Sequence, residues 1–292
     1  MNFVKRFGGS LLLTVFILLF KQSAHAQEKN FRIITWNVYE GMKLDTTPHK
    51  TAFAQWIKEK DPDVLAFQEM NKFTQTRLEE FARGYGHPYA ILLKDTGFPV
   101  ALTSKYPISN IEKVIDKMHH GYIQTTVKDI TFFVVHLSPH KYQKRQEEIN
   151  IILAAADSAP DKRKTVILGD FNAQSPQDSV FYTDGKMAEV QKILKVKNPV
   201  YDNLRNGQLD YAVVNTVLTK QYIDPVYNPK KLNISFSADI QGDPDLKNNK
   251  TRIDYVFLNS FFKDKIKKAF IIRDTFTDKM SDHYPVCVEL KD

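Results

Sequence analysis

The sequence predicts an α/β protein in which two β-sheets pack face to face and helices cover them from outside. Three observations carry that expectation. Ten runs rich in Val, Ile, Phe and Tyr lie along the chain, each bounded by turn residues, as strands are. Some neighbouring runs are joined by a tight turn, as at Lys128-Asp129, whereas others are separated by amphipathic helical stretches. Strands connected in both ways argue for a sheet-on-sheet core rather than one purely parallel sheet.

Taken in order, the first segment reads as a targeting signal. Lys5 and Arg6 give a positive start, Leu11 to Phe20 an apolar run interrupted only by Thr14, and Ala24-His25-Ala26 a small-x-small cleavage site. The run is short of the roughly 20 apolar residues that span a membrane. Residues 1–26 are therefore expected to be a cleaved signal peptide rather than an uncleaved anchor, and residues 27–292 one domain. Strands are expected at 31–38, 63–68, 88–94, 98–104, 121–127, 130–137, 165–169, 252–258, 268–273 and 285–290. Between them, residues 48–60 place Phe53, Trp56 and Ile57 on one face of a helix that Asp61-Pro62 stops. Residues 73–83 form a shorter amphipathic helix, and 141–157 align Ile149, Ile152, Leu153 and Ala156 opposite Lys and Arg. Residues 200–250, rich in Asn, Gly and Pro, read as long, partly ordered loops, and long loops in a compact domain are often functional. Tyr201, Tyr211, Tyr222 and Tyr227 in that stretch are candidates to stack on bases or sugars, although most are expected in the core or at its rim.

The chain of 292 residues carries a formal charge of +7. Residues 1–26 contain Lys5, Arg6 and Lys21 and no acid, so their removal lowers the charge by three to +4 and leaves 266 residues. That balance is mildly basic and gives only weak support for a polyanionic partner. The single cysteine, Cys287, excludes an intrachain disulfide, and its place in the last apolar run makes it a small buried hydrophobe. An exported chain without disulfides must rest on a large core, which this length allows.

Six short polar motifs end or begin apolar runs: TWNVYEG (35–41), AFQE (66–69), FVVHL (133–137), VILGDFNA (166–173), RIDYVF (252–257) and SDHYPV (281–286). Asn37 and Glu69 each follow a strand, and together they are an oxygen set suited to Mg²⁺, which takes one or two carboxylates and keeps several waters. Neither a Cys cluster nor a paired-His spacing points to zinc. In GDFN, Gly169 lets the chain turn, while Asp170 is a candidate general base for a water and Asn172 a candidate to orient that water or a phosphate; alone the motif is a plain Asx turn. His136 ends one strand and His283 begins another, and Asp254 is placed to hold the His283 imidazole, fixing its tautomer and favouring the cation. Asp282 faces the opposite way from His283 in an extended chain, toward the metal or its waters.

In this order, WN, QE, H, GDFN, RIDY and SDH resemble the endonuclease/exonuclease/phosphatase superfamily, which includes pancreatic-type deoxyribonucleases, exonuclease III-like repair enzymes, neutral sphingomyelinases and inositol polyphosphate 5-phosphatases. Gly97–Ile108 resembles a further family segment, and the likeness spans roughly residues 31–290. The resemblance implies a four-layer α/β/β/α sandwich, two packed mixed sheets flanked by helices, with the site at one edge of both sheets. It implies Glu69 as main metal ligand, Asn37 as an amide near the metal or phosphate, and Asp282 as support for the metal. It implies Asp170 with Asn172 to position the attacking water, His136 and His283 to hold the phosphate and protonate the leaving oxygen, and Asp254 to orient His283. Arg145 is expected to tie its helix to the core. Tyr39 stands where repair-type members usually carry Asp, and His136 where they lack His, which places the chain nearer the sphingomyelinase-like and pancreatic nuclease-like members. His119-His120 replaces a segment where many members show a phosphate-contacting arginine and is expected to be a loop pair without a role.

The expectation is an exported, secreted or periplasmic, monomeric Mg²⁺-dependent phosphoester hydrolase, with Mn²⁺ as a possible substitute and no membrane segment in the mature chain. Its substrate is a nucleic acid, a phospholipid head group or a small phosphodiester. The alternatives are a lipid head-group or inositol phosphate phosphatase of the same fold and a non-catalytic relative that binds a phosphorylated ligand.

Overall fold

The computed structural model describes residues 30–291, together with Met1; residues 2–26 of the expected signal peptide lie outside the described residues. Alternating apolar residues make strands with two usable faces, and here both faces are used. The strands are β1 (Phe31–Asn37), β2 (Val64–Gln68), β3 (Tyr89–Leu92), β4 (Ala101–Ser104), β5 (Ile108–Val114), β6 (Tyr122–Val127), β7 (Ile130–His136), β8 (Thr165–Asp170), β9 (Leu204–Arg205), β10 (Gln208–Leu209), β11 (Tyr222–Ile223), β12 (Phe236–Ser237), β13 (Lys250–Thr251), β14 (Asp254–Asn259), β15 (Ile266–Ile271) and β16 (Val286–Leu290). The helices are α1 (Tyr39–Met42), α2 (Thr51–Lys60), α3 (Gln75–Gly84), α4 (Tyr142–Asp157), α5 (Lys186–Lys197), α6 (Ala212–Thr219) and α7 (Thr277–Met280).

Two six-stranded sheets result, ordered β15-β16-β1-β2-β4-β3 and β11-β14-β8-β7-β6-β5. Both are mixed: β1 pairs β2 in parallel and β7 pairs β8 in parallel, while their other pairings are antiparallel. Phe31 and Ile33 of β1, Phe132 and Val134 of β7, and Val166 and Leu168 of β8 point between the sheets. The alternate residues Ile34 and Trp36 meet Phe53 and Trp56 of α2 and Leu78 and Phe81 of α3. Phe133, Val135 and Ile167 meet Ile149 and Ile152 of α4 and Val213 and Val217 of α6. β1, β7 and β8 thus each serve one core between the sheets and one core under helices, which yields the four layers. Among the described residues no helix is long and apolar enough to cross a membrane.

Three expectations change. The stretch 200–250 is not only loops: it holds α6 and the ribbons β9–β10 and β12–β13. Helix α5 is not among the expected elements: it buries only Met187 and Val190 and exposes lysines on its other faces. Nor is strand β5, an edge strand that is largely exposed and broken by a bulge between Ser109 and Glu112, so no apolar alternation marks it. Cys287 is free and buried, as its setting in an apolar run predicts.

Candidate active site

Sheet topology delivers the polar motifs to one edge. Parallel β1 and β2 end together, with Asn37 opposite Gln68 and Glu69 one residue on. Parallel β7 and β8 end together in the second sheet, with His136 opposite Asp170. β14 runs antiparallel to β8, so its first residue, Asp254, is also opposite Asp170. β16 runs antiparallel to β1, which brings the preceding Asp282 and His283 to the same edge. The sheets meet closely there. Gly169 has φ +138°, and a Cβ at that position would lie 2.0 Å from the Val135 carbonyl oxygen and 3.0 Å from Gln68 Nε2. Gly169 is therefore inside β8 and permits close approach, rather than the turn expected of it.

Asn37 bridges the two sheets. Its Nδ2 donates to Glu69 Oε1 and to Asp170 Oδ2, both at 3.1 Å, while its Oδ1 accepts from the Tyr39 N–H. Its oxygen thus accepts one backbone N–H, and its amide nitrogen clamps two carboxylates together across the sheets. Glu69 accepts the Glu40 N–H at 2.8 Å. Tyr39, Glu40, Glu69 and Asn172 all take positive φ, between 48° and 62°, a costly conformation for non-glycine residues that recurs at functional sites. Asn172 donates its N–H to Asp170 Oδ1 at 2.8 Å and its amide to the Leu137 carbonyl at 3.1 Å. The Asx turn and the candidate site are one object here.

Asp170 is buried with His136 Nε2 at 3.5 Å and His283 Nε2 at 3.8 Å from its Oδ2. Asp254 Oδ2 accepts from His283 Nδ1 at 2.8 Å and from Ser235 Oγ at 2.7 Å. Burial opposes a charge on His283, but the carboxylates of Asp254, Asp170 and Asp282 overcome it and raise the imidazole to about 10. Burial, followed by the repulsion of Asp254, raises Asp170 to about 7 against the pull of His283. Burial and the His283 cation lower His136 to about 3. Of the two expected imidazolium groups, only His283 holds its charge at neutral pH. Asp282 does not face away: its Oδ1 lies 4.0 Å from His283 Nε2, and Gln241 donates to its Oδ2 at 2.7 Å.

Hard oxygen donors dominate this edge, and Asp254 Oδ1 and Asp282 Oδ1 are buried without a hydrogen-bond partner. That unmet demand fits a hard divalent cation. Asp170, Asp254 and His283 each present one ligand-type atom within 4.8 Å of the others. Glu69 and Asp282 line the same edge, and burial raises both above the ordinary carboxylate range.

A cavity of about 400 Å³ opens on this edge. Its lining adds Gln174, Phe236, Gln241 and Asn249, which the sequence reading missed because they come from the turn-rich stretch after β8, where no periodicity or motif marks them. Arg145 lies at its floor, donating to the Ser138 carbonyl at 2.9 Å and to Asn203 at 2.8 Å, and so ties α4 to two loops.

Two sheets meeting at a shared edge of carboxylates, amides and a carboxylate-held imidazole define a class of phosphoester-handling α/β sandwich. Residues 34–283 match the Endonuclease/Exonuclease/phosphatase family, and the chain belongs to it. No curated protein sequence matches the chain. Among solved structures, an AP endonuclease from Archaeoglobus fulgidus is similar in fold at 17% identity and TM-score 0.61, over 90% of this chain and 99% of that one. The 3′ phosphatase NExo from Neisseria, bound to a product DNA hairpin, is similar at 18% identity and TM-score 0.64, over 90% and 100%. An endonuclease/exonuclease/phosphatase from Beutenbergia cavernae is similar at 16% identity and TM-score 0.59, over 90% and 71%.

Proposed function

We propose that the chain is an exported Mg²⁺-dependent phosphoester hydrolase, served also by Mn²⁺, whose domain spans residues 27–292 and acts as a monomer outside the cytoplasm. The observation that carries this reading is Asp170, a buried carboxylate raised to about 7 and held between the Asn37 amide and the His283 cation. A base is most effective when its pKa lies near the working pH. Asp170 takes the proton of a water that attacks phosphorus in line, and the Asn172 turn fixes the carboxylate that receives it. His283, held by Asp254, presents a cationic N–H to the phosphoryl and leaving oxygens, and neutral His136 supplies a second N–H beside it. Glu69 and Asp282 would hold the cation, with Asn37 holding Glu69. When bound, Mg²⁺ supplies charge neutralisation at the phosphate.

Family membership supports phosphoester chemistry, and neighbours of the same fold act as an endonuclease and a phosphatase. Hydrolysis of a phosphodiester in ¹⁸O-labelled water is expected to place the label in the phosphoryl product. Label in the released alcohol contradicts attack at phosphorus. Asp170→Asn and His283→Ala are expected to fold and to lose about 10²–10³ in kcat. Near-normal turnover in either removes its assigned role.

A further inference from the structure

The wall of the cavity beyond His136 carries groups that the phosphoryl chemistry does not use. His119-His120, expected from the sequence to lack a role, is built into it. Glu148, buried on α4, accepts the backbone N–H groups of His119 and Ser138 and so fixes this loop to the end of β7. The His120 ring stacks on His136 at 4.1 Å and 19°, and its buried Nε2 has no partner. The band of rings continues through His119, 4.3 Å from His120, to His140 at 4.9 Å and Tyr201 at a further 5.1 Å. Two buried amides also line the cavity. The Asn249 side chain makes no hydrogen bond among the described residues, and Gln174 uses only its Nε2, at 3.5 Å from Thr251.

Charge in the cavity is one-sided. No lysine lines it, and its one arginine, Arg145, is engaged by Ser138 and Asn203. Burial first, and then neighbouring basic groups, hold His119, His120 and His140 below the ordinary histidine range. Lys94 and Lys144 act on His119 from outside the lining. Within the lining, His283 is thus the cation that carboxylates hold charged, and no lysine stands there to meet a second phosphate. Strands of nucleic acid are held along a basic track that neutralises several phosphates.

We propose that the cavity takes a compact substrate in which one phosphoester is joined to an uncharged, polyhydroxylated ring of the sugar or cyclitol class. The imidazole and phenol rings offer faces to the C–H surfaces of such a ring, and the unpartnered His120 Nε2, the Asn249 amide and the Gln174 Oε1 meet its hydroxyls. About 400 Å³ suits one small ligand, near the lower end of the roughly 300–1,000 Å³ of small-molecule sites. The assignment rests on the phosphoester-hydrolase reading above.

The test compares kcat/KM, with Mg²⁺, for bis-p-nitrophenyl phosphate, a hexose 1-phosphate, a glycerophospho-inositol diester, inositol hexakisphosphate and plasmid DNA. Preference for the hexose or the inositol ester over both polyanions by about tenfold or more is the expected result, and the better of the two tells sugar from cyclitol. Equal or faster turnover of the hexakisphosphate or the DNA overturns the proposal while leaving the hydrolase reading intact. Failure on every substrate, the bis-p-nitrophenyl ester included, overturns the hydrolase reading itself and the ring assignment with it. Asn249→Ala is expected to lower the ratio of ring ester to bis-p-nitrophenyl ester kcat/KM about tenfold, the scale of one or two lost hydrogen bonds. His120→Ala is expected to lower it likewise, and an unchanged ratio in both contradicts the assignment.

Discussion

Asp170 concentrates the electrostatics of the site. Burial and Asp254 push its pKa up, whereas His283 and the Asn37 and Asn172 hydrogen bonds pull it down, and the outcome is about 7. A base must be ionised to act, so kcat/KM is expected to fall as pH drops through about 7. At the other end, His283 must keep its proton, so activity is expected to fall again as pH rises through about 10. Asp254→Asn removes a charge that raises both groups. Both limbs of the profile are then expected to move to lower pH, and a profile with unmoved limbs contradicts the coupling. The identities of Asp170, Asp254 and His283 were legible as motif residues in the sequence. Which imidazole carries the charge was not, because it depends on how many carboxylates the fold gathers around each ring.

At the scale of elements, parallel pairing of β1 with β2 and of β7 with β8 makes the site, since parallel strands that start together also end together. The strong strands were readable because their residues alternate between two cores. Weak elements were not: β5 is exposed on both faces, and α6 lies in a stretch whose Asn, Pro and Gly content signals loops. That stretch is pinned by Arg252, whose guanidinium is buried between Asp178, at 2.7 Å and 2.8 Å, and Asp224. Arg252→Leu leaves two carboxylates buried without a cation. It is expected to destabilise the fold by about 3–5 kcal/mol, as breaking buried pairs does. Denaturant unfolding that shows a loss under about 1 kcal/mol contradicts this role.

For the whole molecule, the fold is a frame whose two sheets share one chemical edge, and the family match spans most of the chain. The order of the six motifs made that frame legible, whereas the cavity was not, because its walls come from segments distant in sequence and without periodicity. Two buried carboxylate oxygens, on Asp254 and Asp282, face the edge without partners. The site's anionic character and the proposed cation are therefore interdependent. The most direct measurement is the rate of p-nitrophenolate release from bis-p-nitrophenyl phosphate by chelator-treated protein, wild type and Asp170→Asn, before and after adding Mg²⁺. No turnover is expected without the metal, with recovery in the wild type on adding it and a rate lower by about 10²–10³ in the variant. Turnover that persists in chelator, or a variant as fast as the wild type, contradicts metal-assisted catalysis by Asp170.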